Sequence, residues 1–115
     1  MPHRIAVLVF PEFQLLDAAG PVAAFEVASR YRDAYYSLKI VAAQPGLVRS
    51  SAGVSWACEK LPPANQVDTL LVAGGDGVDA AMIDARTRRF VSRCAARGAR
   101  VTSVCSGSLL LAEAV

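Results

Sequence analysis

The chain has 115 residues, enough for one domain with a real core, and 54% of them are hydrophobic against 19% charged. That balance excludes a disordered chain, and a net charge of only +2 gives no overall pull toward nucleic acid or an anionic membrane. Cys58, Cys94 and Cys105 are odd in number and form no C-x-x-C pair, which argues against a disulfide framework or a zinc site and points to a reducing cytoplasm.

Ile5 to Phe10 is a continuous apolar run closed by Pro11. It predicts a buried parallel strand and is too short for a signal sequence; no run is long enough to span a membrane. Gln14 to Arg30 carries a broad apolar helical stripe of Leu15, Leu16, Ala19, Val22, Ala23, Phe25 and Val27. Gly20-Pro21 interrupts it, predicting a bend or a fresh helix with Pro21 in its first turn.

Ser37 to Ala42 predicts a second strand, Gln44-Pro45-Gly46 a turn, and Leu47 to Trp56 a small hairpin centred on Ser50 to Gly53. Pro62-Pro63 and Asn65 mark a loop. Thr69 to Ala73 predicts another buried strand, running directly into Gly74-Gly75-Asp76-Gly77. Asp84 is the predicted N-cap of a helix whose apolar face is Phe90, Val91, Cys94 and Ala95 and which Gly98 stops. Arg100 to Val104 reads as the last strand and Gly107 to Ala114 as the last helix. Strands alternating with helical crossovers give an α/β class with a parallel sheet.

In such sheets function gathers at the carboxyl ends of strands, where Asp17, Gly74-Gly75 and Cys105 all fall. Cys105 lies at a strand–helix junction. A tight turn there pushes the thiol out, and the amides of Ser106 and Gly107 at the helix start favour its anionic form. Gly107 supplies the close backbone approach of a nucleophile elbow. The opposing reading makes Cys105 a small buried hydrophobe, which is the expectation for Cys58 and Cys94. Asp17 is either a local cap or a half-buried carboxyl able to move a proton. Gly74 and Gly75 could turn N–H groups into an oxyanion pocket, or simply form a turn. His3, the single histidine, sits at the opposite end of the first strand, so no Cys–His pair is available. Arg86, Arg89, Arg93, Arg97 and Arg100 recur at helical spacing and read as a solvated basic stripe, with a partner or nucleic-acid surface as the alternative. Glu12 and Glu26 read as surface or rim groups.

Three ordered segments, Phe10 to Pro21, Asp68 to Gly75 and Val101 to Ser108, together resemble the ThiJ/PfpI superfamily, of the class I glutamine-amidotransferase-like fold. The resemblance implies a flavodoxin-like parallel sheet sandwiched by helices and incomplete at its C-terminus, with residues 1–115 the N-terminal part of one such domain. Phe25 to Ala28 and Gly75 to Val78 are most similar to the sensory domain of AraC-type transcriptional regulators of the GlxA kind. That branch implies a small-molecule ligand, a homo-oligomer, no cofactor or metal, and DNA contact only through a helix-turn-helix region absent from these residues. The isonitrile hydratase branch implies instead an enzyme that adds water to an isocyanide through Asp17, Cys105 and the hydroxyl of Ser106, a position where that branch usually carries threonine.

Overall fold

The computed structural model describes residues 2–31 and 35–114. In chain order it contains β1 (His3–Leu8), α1 (Leu15–Tyr31), β2 (Tyr36–Ala42), β3 (Gly46–Arg49), β4 (Ser55–Lys60), a 3-10 turn (Ala64–Gln66), β5 (Thr69–Val72), α2 (Val78–Ile83), α3 (Ala85–Ala96), β6 (Arg100–Ser103) and α4 (Gly107–Ala114). The six strands form one sheet in the order β3-β4-β2-β1-β5-β6. The β3–β4 hairpin is antiparallel and all other neighbours are parallel. This is a mixed α/β, flavodoxin-like fold.

The apolar run at the start becomes the centre of the sheet because both its faces are covered: Ile5 through Phe10 are all buried, with Val7 and Leu8 at 0% exposure. β1 pairs with β2 from His3↔Tyr36 to Leu8↔Val41 and with β5 from Ile5↔Thr69 to Leu8↔Val72. The chain leaves β1 for β2 on one side, and leaves β5 for β6 on the other. Right-handed crossovers in opposite directions put α1 on one face and α2 and α3 on the other. The reversal between β1 and β5 is the switch point where open α/β sheets leave a crevice.

The fresh helix expected at Pro21 does not form: α1 runs from Leu15 to Tyr31 with Pro21 inside it. Proline removes one helical N–H and normally clashes with the Cβ of the residue before it. Gly20 has no Cβ, so that clash is absent. The stripe also divides differently from the expectation. Ala18 is buried and Leu15, Val22 and Phe25 are half-buried against the sheet, whereas Leu16 is 71% and Val27 42% exposed. On the other face, Asp84 caps α3 as expected, accepting hydrogen bonds from Thr87 N at 2.9 Å and Thr87 Oγ1 at 2.6 Å. The helix buries Thr87, Phe90, Val91 and Cys94. Short α2 was not anticipated. None of the helices among the described residues is long and apolar enough to cross a membrane.

Candidate functional site at the carboxyl end of the sheet

Three strand ends converge beside the switch point. β1 hands the chain to Pro11–Gln14 and then to α1, whose first turn carries Asp17. β5 ends in Ala73-Gly74-Gly75, and Ala73 N donates to Leu8 O at 3.1 Å, holding that loop against the end of β1. β6 runs through Val104, whose N–H reaches Val72 O at 3.0 Å, into Cys105 and α4.

Cys105 takes φ of +55°, in the left-handed region that costs an L residue about 1–2 kcal/mol. The residue is exposed, whereas Cys58 and Cys94 are buried. Burial pushes the Cys94 thiol up to about 11 and raises that of Cys58, so both are poor nucleophiles at neutral pH. Directly after this left-handed turn, α4 starts close against the end of β5. A Cβ on Gly107 would collide with the carbonyl oxygen of Val72, and lie 2.7 Å from that of Ala73. Glycine therefore lets the helix begin where the strand ends.

Asp17 and Ser106 reach the same loop from opposite sides. Gly74 N donates to Asp17 Oδ2 at 3.2 Å, and the next amide, Gly75 N, donates to Ser106 Oγ at 2.9 Å. Gly74 O in turn accepts from Gln14 N at 2.9 Å. The result is a continuous polar bridge: Asp17 carboxylate, the Gly74–Gly75 peptide, the Ser106 hydroxyl, and through the chain Cys105. The N–H groups of Gly74 and Gly75, which the sequence offered to an oxyanion pocket or to a plain turn, here meet the side chains of Asp17 and Ser106. Gly107 N is likewise taken, by Val104 O at 3.0 Å. Among the described residues, the backbone N–H groups of Cys105 and Ser106 have no protein acceptor, so the donors available beside the thiol come from its own junction.

His3 lies at the amino end of β1, its Nε2 2.7 Å from Thr69 Oγ1. It is a sheet-length away from Cys105. Among the described residues no three His, Cys, Asp or Glu side chains gather as a metal would require.

Glu12 was read only as a rim residue, yet it too is left-handed, with φ of +65°. Its N–H donates to Arg49 O at 2.8 Å and its carbonyl accepts from Gly77 N at 3.1 Å, tying the hairpin to the glycine loop. A turn-forming Pro11 ahead of it was the available signal. Beside this loop a cavity of about 480 Å³ opens at the ends of β1 and β2, walled by Phe10, Pro11, Pro45, Val48, Gly77 and Ala80. It shares the Pro11–Gly77 wall with the site but is not lined by the thiol.

An α/β domain with an exposed, left-handed cysteine between strand and helix at its switch point is a recognisable class of protein. The chain belongs to the DJ-1/PfpI family, whose description matches residues 3–115. It is 35% identical over 120 residues to an isonitrile hydratase of Pseudomonas putida, covering 99% of this chain and 48% of that one. A ThiJ/PfpI family protein from Pseudomonas syringae superposes with a TM-score of 0.86 at 34% identity, over 99% of this chain and 46% of that one. An AraC family transcriptional regulator from Pseudomonas putida superposes at 0.85 with 20% identity, over 98% of this chain and 61% of that one. The chain thus spans about half the length of the first two relatives and rather more of the third.

Proposed function

We propose that this domain senses a small molecule for an AraC-type transcriptional regulator, in the cytoplasm and as a homo-oligomer, with DNA contact belonging to a separate helix-turn-helix region. The observation that carries this reading is the mostly apolar cavity of about 480 Å³ at the carboxyl ends of β1 and β2, walled by Phe10, Pro11, Val48, Gly77 and Ala80. It has the size and lining of a small-ligand site, and its walls come from the segment after β1, the hairpin and α2, so occupancy bears on several elements at once. The likeness in fold to the AraC regulator supports the class.

Thermal melting against a panel of short amides, carboxylates and isocyanides tests it. A ligand at about 100 times its Kd adds about 2.7 kcal/mol of stability. Ala80 is an exposed residue of α2 that lines the cavity, so Ala80→Trp fills the space without touching the core and should abolish the shift. Ligand stabilisation undiminished in Ala80→Trp, or none with any member of the panel, counts against the reading.

A second reading has its own support, the bridge from Asp17 to Ser106 beside an exposed cysteine in a chain 35% identical to an isonitrile hydratase. Here the Cys105 thiolate forms a bond to the terminal isocyanide carbon, and Asp17 supplies the proton that this carbon takes up. Water then adds to the resulting thioimidate. One proton of that water goes to the nitrogen; as the C–S bond breaks the other returns to Asp17, the thiolate is restored and an N-substituted formamide leaves, so that one water is consumed per isocyanide. Isocyanide consumption that disappears in Cys105→Ala would replace the sensor with the enzyme.

A further inference from the structure

The arginine stripe acquires a partner wall in three dimensions. Arg86, Arg89 and Arg93 project from one edge of α3, at i, i+3 and i+7. Facing them is the segment that leaves β4, Lys60-Leu61-Pro62-Pro63-Ala64, and between the two runs a groove of about 420 Å³ floored by Phe90. Arg97 continues the edge at the helix terminus, whereas Arg100 belongs to β6 and not to this helix.

The two edges of α3 are treated differently. On the α4 side, Arg88 meets Glu113 at 3.9 Å. On the groove side, Arg86, Arg89, Arg93 and Lys60 have no carboxylate within ion-pair distance among the described residues. Asp84 feels the charge of Arg86, but its carboxylate is already held by Thr87. Like charges three and four residues apart on a helix repel. In a chain whose net charge is only +2, this local excess is unbalanced within the fold.

We infer that the groove between α3 and Lys60–Ala64 docks an extended acidic polypeptide segment in which acidic and apolar side chains alternate. Same-side residues of an extended peptide recur about every 6.7 Å, and four residues of helix, the Arg89–Arg93 interval, rise about 6 Å. Acidic side chains thereby meet the arginine edge while the alternate side chains lie on Leu61, Pro62 and Pro63. Two consecutive prolines offer no N–H, so the partner is held by its side chains and not by strand addition. A single nucleic-acid strand fits less well. It supplies anions, but Phe90 is only 6% exposed and gives its bases no stacking platform.

Fluorescence anisotropy of the full chain with a labelled eight-residue peptide alternating Glu with Leu and Ala tests this surface. Arg89→Glu/Arg93→Glu should weaken binding at least about ten-fold, and Lys60→Glu, on the opposite wall, about three-fold or more. Arg30→Gln, on α1, should leave it unchanged. Circular dichroism checks that the double variant keeps its helices; if it does not, Lys60→Glu alone decides. The inference is overturned if the peptide fails to bind, if the folded charge-reversed variants bind as the parent does, or if an eight-nucleotide oligothymidylate or pyrophosphate binds more tightly than the peptide. None of these outcomes depends on what the Cys105 side of the molecule does.

Discussion

The two ends of the same parallel sheet are built on opposite terms. At the amino end, Arg4 grips Asp68 with Nε at 3.0 Å, Nη2 at 3.1 Å and its backbone N–H at 2.8 Å, and His3 reaches Thr69; none of these residues has a left-handed backbone. At the carboxyl end, Glu12 and Cys105 both have positive φ, four glycines (Gly74, Gly75, Gly77 and Gly107) are pressed against neighbouring backbone, and the one free thiol on the surface is held out to solvent. Local strain at one end coexists with satisfied, strain-free pairing at the other. The amino end secures the register of β1 with β5, while the carboxyl end ties Asp17 and Ser106 together through its own hydrogen bonds across Gly74 and Gly75.

The largest effect that would break this contrast is at Gly75. Its φ is +129°, and a Cβ there would meet Gln14 N and come within 2.8 Å of Phe13 C. Gly75→Ala should cost about 2–4 kcal/mol in denaturant unfolding and disturb the bridge between Asp17 and Ser106. A cost below about 0.5 kcal/mol would show that the loop relaxes freely and that the carboxyl end is not braced as described.

Next in size is thiol reactivity. At pH 7 an alkylating agent should modify Cys105 more than about 100-fold faster than Cys94, whose burial holds its thiol near 11, and well before Cys58. Peptide mapping after partial labelling reads this directly. Equal labelling would mean that the folded sheet does not set the three apart.

A smaller effect tests the strain itself. At an ordinary position alanine is better tolerated than glycine by about 0.5–1 kcal/mol. At the left-handed Cys105 the order should reverse, with Cys105→Gly more stable than Cys105→Ala by about 1 kcal/mol. Since neither variant has a thiol, chemistry does not enter the comparison.

Much of this was legible in the sequence, because buried parallel strands announce themselves as unbroken apolar runs. Ile5–Phe10 and Thr69–Ala73 marked the two central strands, and Asp84 and Gly98 bracketed a helix that forms from Ala85 to Ala96. α2 was hidden because its six residues follow a run of glycines and stop at Asp84, too short for periodicity to speak. The exposed side of α1 was hidden for another reason. Composition shows that a helix is apolar, but only the tertiary fold decides which of Leu15 and Leu16 meets the sheet. At the site, the positions of Asp17 and Cys105 at strand ends could be read from spacing. The hydrogen bonds that join Gly74 to Asp17 and Gly75 to Ser106 could not, since they cross 57 and 31 residues and exist only once the strands are in register.

The smallest effect sharpens the amino end of the comparison. Hydrogen bonds from Arg4, with its charge, hold the Asp68 carboxyl at about 2, below its ordinary value of 3.8. A carboxyl whose folded value is depressed adds stability that is fully present above 3.8 and is lost as pH falls toward 2. The pair is part-exposed, at 41% and 34%, so solvent screens it and the contribution is modest. Asp68→Asn should therefore lower stability slightly at neutral pH and flatten the acid limb of the stability curve between about pH 4 and pH 2. Labelling of Cys105 should be unaffected, because the change lies at the far end of the sheet. If Asp68→Asn altered thiol reactivity as well, register at the amino end would be controlling the carboxyl-end geometry directly, and the two ends would have to be treated as one coupled unit.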